Sequence, residues 1–320
     1  MNVTVLGCGR WGSFIAWYLN KIGYKVLIWG KKGFPEIEEL KKTRKNNLVS
    51  FDKNTIITDN FSIAMKHSEI CIISISSQAL RSFLMENAFN LDFKKKTIVL
   101  CMKGLEKETG KRLSQIVEEV LGSKVDVAIW VGPGHVQDIT SGVRTCMVVD
   151  SKSEPTKLHI IKSFNSNLIR LYIGTDVLGN EIGAAAKNIM GIASGILDGI
   201  RLSSLKGVLM TRGAKEIADL ISALGGKPEC AYGLSHLGDY QATLFSEHSN
   251  NRKFGEMFSK GKKFEKLCEG IATTTAILSL AKKTNTSLPI CQAVKNILDK
   301  KDTPKNIIKN LFERKIKREF

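Results

Sequence analysis

Three glycines, Gly7, Gly9 and Gly12, stand in a G-x-G-x-x-G spacing directly after the β-branched run NVTVL and at the mouth of the apolar stretch WGSFIAWYLNKIG. In that context two glycines permit a tight turn and close approach of backbone to a pyrophosphate, and the third lets a helix meet a strand. The helix N-terminus adds free amides and the positive end of its dipole, so the chemistry is dinucleotide binding. About twenty residues on, where an acidic residue usually takes the adenosine ribose, the chain reads Gly30, Lys31, Lys32, and the first carboxylate is Glu36. Lysines there either pair with a 2′-phosphate, which leans towards NADP, or point into water. A second candidate is Lys187, whose neighbours at i±3 and i±4 are Gly183, Ala184, Met190 and Gly191, so amphipathicity does not explain it. An enclosed lysine must be paired, titrated or used. Hydride transfer to a ketone needs an acid for the forming alkoxide, and a desolvated lysine beside Asn and Asp groups can supply it. The alternative is a lysine snorkelling at a domain interface. Asn180, Glu181, Asn188 and Asp198 punctuate the same small, apolar stretch.

The elements that must position these groups fall into two textures. Up to about residue 179, short β-branched runs (NVTVL, YKVLIW, EICIISIS, KTIVLCM, DVAIWVG, TCMVVDS and finally IRLYIG) alternate with helical stretches. This predicts a Rossmann domain over 1–179, α/β, doubly wound, with a mostly parallel sheet. From Asn180 onwards long 3.6-periodic stretches follow one another without strands, which predicts an all-α domain over 180–320 carrying substrate and catalysis.

Composition narrows the classes. The chain has 320 residues, 43% hydrophobic and 25% charged, and no uncharged run long enough for a membrane span, so integral membrane association is not expected. Its 48 Lys+Arg against 31 Asp+Glu give a formal +17. Clusters at Lys94–Lys96, Lys260–Lys263 and a C-terminal basic helix, Asn306–Phe320, show no regular interleaving of basic and aromatic residues, so they read as solvated surface and no nucleic acid is expected. Seven dispersed cysteines without C-x-x-C read as reduced thiols, and the first residues run straight into a strand without a basic leader, so a cytoplasmic location is expected. His67, His135, His159, His236 and His248 have no metal-ligand spacing, and no metal site is expected. His135 and His236 lie in segments that could touch a ligand. No G-x-S-x-G or Cys–His pairing points to a covalent nucleophile.

Several segments then carry a resemblance. KGLE (Lys103–Glu106), GPG (Gly132–Gly134), AAAKNIMGIASGILDG (Ala184–Gly199), TRG (Thr211–Gly213), LGG (Leu224–Gly226), HLGD (His236–Asp239), SNNRKFG (Ser249–Gly255) and CEG (Cys268–Gly270) follow one another in the order and spacing of the NAD(P)-dependent glycerol-3-phosphate dehydrogenase family. The chain resembles that family from Met1 to about Pro289. The resemblance implies reversible reduction of dihydroxyacetone phosphate to sn-glycerol 3-phosphate for glycerophospholipid synthesis, by a homodimer using NAD or NADP. It implies Lys187 as proton donor, Lys103 touching substrate and cofactor, and Asp239 as the third catalytic group. Substrate contacts are implied for Gly132, Gly134, Ser249, Asn250 and Asn251. Cofactor contacts are implied for Gly7, Gly9, Arg10, Trp11, Gly12, Lys31, Lys103, Val136, Asn250, Leu267 and Glu269. Asn188 reads as a positioning residue.

Three departures bear on substrate. Where the family usually reads G-P-S-F-A, this chain has Gly132-Pro133-Gly134-His135-Val136, and where it reads S-R-N-R, this chain has Ser249-Asn250-Asn251-Arg252. Ser204 stands where asparagine is usual. An amide does not reproduce a bidentate arginine–phosphate contact, although Arg252 or a helix N-terminus offers partial compensation. Two other readings therefore remain open: a related hydroxyacid-type dehydrogenase with another substrate, and a degenerate dinucleotide-binding protein with an anionic partner.

Overall fold

In a computed structural model, described for residues 1–88, 96–316 and 318–319, the chain divides by its contacts into two units, Met1–Lys103 with Lys111–Glu181, and Gly104–Gly110 with Ile182–Phe320. Lys94 and Lys95 of the first basic cluster, and Lys317 and Phe320 at the other end, lie outside the described residues.

The first unit is one eight-stranded sheet. Strands β1 (Asn2–Leu6), β2 (Lys25–Trp29), β3 (Ile56–Thr58), β4 (Ile70–Ile73), β5 (Thr97–Leu100), β6 (Asp126–Val131), β7 (Thr145–Ser151) and β8 (Ile169–Ile173) lie in the order β3-β2-β1-β4-β5-β6-β7-β8. All neighbours are parallel except β6 and β7, which run antiparallel with Ala128 opposite Ser151. This is the expected doubly wound, mostly parallel sheet. The central strands carry near-continuous apolar runs because helices cover both faces: Val3–Leu6 and Ile70–Ile73 are buried along their length. Helix α1 (Arg10–Lys21) packs Tyr18 against Trp130 with ring centroids 5.9 Å apart, and the Tyr18 hydroxyl donates to the Phe164 carbonyl at 2.6 Å. Strand order reverses between β1 and β4, and the loops leaving their carboxyl ends form the crevice where such sheets take ligands.

Around the sheet lie α2 (Pro35–Thr43), α3 (Phe61–His67), α4 (Leu80–Ala88), α5 (Leu113–Leu121), α6 (Val136–Thr140) and α7 (Glu154–Phe164). The 23-residue α8 (Val177–Gly199) begins in this unit, with the Asp176 carboxylate accepting from the amides of Leu178 and Gly179. Its first polar residues serve the sheet. The Asn180 side chain donates to buried Asp150 at 2.8 Å, and Glu181 accepts from the Ser114 amide and from Arg112, capping the first turn of α5.

Among the described residues, the elements named in the second unit are helices. The unit continues α8 and adds α9 (Lys206–Ala223), α10 (Asp239–Phe245), α11 (Asn250–Ser259), α12 (Glu269–Lys283), α13 (Pro289–Leu298) and α14 (Pro304–Phe312). Helices α8 and α11 approach to backbone contact, since a Cβ on Gly195 would collide with the Arg252 carbonyl and one on Gly255 with the Ile192 carbonyl. The terminal basic helix is shorter than its expected span of 306–320. It stops at Phe312 because the described residues after it offer only Ile316 as an apolar anchor, and that side chain is fully exposed.

Candidate active site

In the first unit the predicted dinucleotide residues converge. Gly7 has φ +115°, and a Cβ there would strike the Ser74 carbonyl beyond β4; one on Gly12 would strike the Gly7 carbonyl. Both must be glycine for the loop to turn tightly and for α1 to start against it. Gly9 is the N-cap of α1, with open space around its Cβ position and no side chain satisfying the helix amides. Free amides at a helix start behind a collar without Cβ atoms fit a pyrophosphate.

Three further segments close on this loop. Lys103, after β5, donates to the Gly132 carbonyl at 2.7 Å and holds its ammonium 5.4 Å from the centre of the Trp11 ring. Arg10 donates to Gln137 of α6 at 2.6 Å, beside buried Val136. Gly134 lies under the indole, where a Cβ would come within 3.4 Å of Trp11 and 3.0 Å of Ile139, so the departure from serine makes room for this tryptophan. Lys31 stands apart at the end of β2, exposed and only 3.8 Å from Glu86, a loose pair that leaves its charge available to an anion.

In the second unit the lysine singled out on α8 is enclosed and paired. Lys187 Nζ lies 3.2 Å from Asp239 Oδ1 and 3.1 Å from Thr243 Oγ1, with 14% of the lysine side chain and 4% of the aspartate exposed. Thr243 in turn donates to the Asp239 carbonyl, one turn back on α10. Sequence reasoning missed Thr243, although its place four residues after Asp239 on one helix face was the available signal. A wide π turn, Leu234–Gly238, leads into Asp239 and buries His236 completely. His236 Nδ1 donates to the Gly183 carbonyl at 2.8 Å, so this histidine braces α8 from within the core.

The remaining residues have mixed placements. Ser249 caps α11 by accepting from the Arg252 amide. Asn251 is a tie between helices: its Nδ2 donates to Asn188 on α8, while its Oδ1 accepts from the Gly270 amide on α12. Asn250 is half-buried and at 3.5 Å makes only a marginal contact with the carbonyl of exposed Leu267. Glu269 is the first residue of α12. Arg252 is already engaged, 2.6 Å from Asp198 Oδ2, and Asp198 also takes Lys206 and Ser203. That engagement commits Nε and Nη1 of Arg252 within the helical unit. Burial raises the Asp198 carboxyl, but hydrogen bonds from Lys206, Ser203 and Arg252 outweigh it and hold it below the usual range. Ser204 is exposed beside this cluster. Among the described residues no group of His, Cys, Asp or Glu could hold a metal. Burial pushes the Cys8 thiol up to about 11 and the Cys268 thiol up to about 12, which leaves neither as a nucleophile at neutral pH.

A doubly wound sheet with an open pyrophosphate loop, together with an enclosed lysine held by a carboxylate on a helical unit, defines a dinucleotide-dependent oxidoreductase. Comparison with known families narrows this. Residues 2–157 match the model of the NAD-dependent glycerol-3-phosphate dehydrogenase N-terminus and residues 176–309 that of its C-terminus. The chain belongs to the NAD-dependent glycerol-3-phosphate dehydrogenase family, as the order of its segments indicated. It is 34% identical to the glycerol-3-phosphate dehydrogenase [NAD(P)+] of Chlorobium phaeobacteroides, covering 100% of this chain and 99% of that one. The Fusobacterium nucleatum enzyme of the same name is 34% identical, with 93% and 92% covered. The crystal structure of the Coxiella burnetii glycerol-3-phosphate dehydrogenase superposes with a TM-score of 0.89 at 27% identity, covering 98% of this chain and 99% of that one.

Proposed function

We propose that this chain reduces dihydroxyacetone phosphate reversibly to sn-glycerol 3-phosphate with NAD(P)H, and that Lys187 gives the proton to the substrate oxygen. The observation that carries the reading is the Lys187–Asp239–Thr243 cluster. An ammonium has three donors; Asp239 and Thr243 occupy two, which fixes the head group and leaves one N–H for a substrate oxygen. Asp239 and Thr243 hold the lysine head group in one position, so the acid is in place before the alkoxide forms. The bound nicotinamide supplies the hydride. Lys103, anchored on Gly132, offers its charge to the phosphorylated substrate and the cofactor, and the α1 amides take the pyrophosphate. Exposed Lys31 suits a 2′-phosphate, so NADP is slightly favoured over NAD. We read the enzyme as a cytoplasmic homodimer supplying glycerophospholipid synthesis, on the strength of its buried thiols and its family; among the described residues no helix is long and apolar enough to cross a membrane.

The test is the initial rate of NADPH and NADH oxidation with dihydroxyacetone phosphate and with unphosphorylated dihydroxyacetone, in the intact protein and in Lys187→Ala. The expected result is turnover of the phosphorylated ketone alone, cut by about 10²–10⁴ in Lys187→Ala with cofactor affinity retained. Loss of turnover and cofactor binding together would make the lysine structural. A second reading, a dehydrogenase with an altered substrate, rests on Gly134 and Asn250; activity with non-phosphorylated hydroxy acids would favour it.

A further inference from the structure

In the helical unit, the C-terminal part of α8 with α9, α13 and α14 lines a half-open groove of about 540 Å³, within the size range of small-molecule sites. Its interior is apolar, with Ile196, Leu209, Val294 and Ile297 all nine-tenths buried or more. Its lip is apolar too, and Val208 and Phe312 expose 46% and 61% of their surface there. The mouth is basic. Lys215 is paired with Asp219 at 2.6 Å, and the Glu216 carboxylate is taken up by the amides of Ile290 and Cys291. Arg212 spends one N–H on the Glu319 carbonyl, which brings no negative charge. Arg314 and Arg318 have no carboxylate at ion-pair distance among the described residues. None of these residues takes part in the proposed reaction.

A half-open apolar groove beneath guanidinium groups that have no carboxylate at ion-pair distance among the described residues selects its occupant. A small polar metabolite would leave the interior unsatisfied, and a neutral hydrocarbon would leave the arginines unused. A folded partner would reach the lip but not the space between four helices. We propose that this cavity binds a single-chain amphiphile with an anionic head, the acyl chain between α8, α9 and α13 and the head on Arg314 and Arg318. Carboxylate and phosphate head groups share this chemistry, the phosphates of an acyl-coenzyme A included.

The experiment uses the full chain and parinaric acid, a fluorescent long-chain fatty acid, below its micelle concentration. Palmitate, palmitoyl-coenzyme A, lysophosphatidic acid and hexadecanol serve as competitors, and their order of displacement identifies the head group. The expected result is saturable one-to-one binding. The exposed double substitution R314E/R318E should weaken the anionic competitors about tenfold and leave hexadecanol unchanged. Ala293→Phe, which fills the interior, should abolish all binding while thermal melting shows the protein folded. Absence of saturable binding overturns the proposal, as does binding indifferent to both variants. Sedimentation showing that Val208→Glu splits a dimer, with no probe bound to the intact chain, would give the groove to a second copy and equally overturn it.

Discussion

Glu216 makes the stability of the helical unit answer to pH. Its carboxylate, buried on α9, accepts from Ile290 N at 2.8 Å and Cys291 N at 2.9 Å, and so caps the first turn of α13 from a neighbouring helix. Burial pushes this group up to about 7, against the pull of those two amides and of Arg314. Between the ordinary value of 4.5 and about 7, the folded chain holds a proton that the unfolded chain has lost. The contribution is therefore complete below that window and falls as pH rises through it, by ~3 kcal/mol in all. His236 acts in the opposite sense. Burial, only partly offset by the Gly183 carbonyl, pushes its imidazolium down to about 4 from 6.5. Between those values the unfolded chain binds a proton and the folded chain does not, so stability rises with pH, again by ~3 kcal/mol. The two slopes nearly cancel in the intact protein. Glu216→Gln keeps an acceptor for one amide and turns an NH₂ towards the other, which costs about 1–2 kcal/mol at any pH. It also removes one slope and unmasks the other, so the variant should gain stability from about pH 4 to 7 while the parent stays flat. Urea midpoints by circular dichroism at half-unit pH steps would show this. A variant curve parallel to the parent's would refute the reasoning.

Other substitutions report on the site. Asn250→Arg should lower KM for dihydroxyacetone phosphate several-fold with kcat unchanged, because it restores a bidentate phosphate contact; an unchanged KM would mean that Asn250 lies away from the phosphate. Gly134→Ser places a Cβ 3.0 Å from Ile139 and 3.4 Å from Trp11, and should cost about 1–3 kcal/mol in thermal unfolding while raising KM for the cofactor. Asp198→Asn strands the mostly buried Lys206 and Arg252 charges, and a loss of about 3–5 kcal/mol is expected in urea; a loss below ~1 kcal/mol would show that water already screens them. Lys31→Glu should weaken NADPH relative to NADH in steady-state KM, and equal effects on both would place the 2′-phosphate elsewhere.

The sheet was legible because its central strands are buried on both faces and read as continuous β-branched runs, while the half-exposed edge strand β8 still shows as IRLYI. The exception is β3, Ile56–Thr58, whose three residues are too few to stand out from their polar surroundings. Lys187 was legible as an anomaly, a charge without a polar face. Asp239 was reached only through the family resemblance and not from the residues themselves, since it lies 52 residues away, and Thr243 was not reached at all. The same distance hid the work of Asn180 and Glu181, which punctuate the apolar stretch and tie α8 to Asp150 and Ser114, 30 and 67 residues distant. Arg252 was readable by type as a phosphate ligand, but its ion pair with Asp198 depends on the close approach of two helices at Gly195 and Gly255. The cavity under Arg314 and Arg318 left no trace in the chain, because each helix contributes an ordinary apolar stripe to it.

Gly104–Gly110 belongs to the helical unit although the chain returns afterwards to finish the sheet. Gly110 packs under Leu280, and Lys283 reaches the Thr109 carbonyl. During synthesis this short segment leaves the ribosome well before the helix that receives it. At ~5–20 residues per second the wait is on the order of ten seconds. Neither half can therefore be excised, swapped or inherited as a separate cassette without opening a gap in the other.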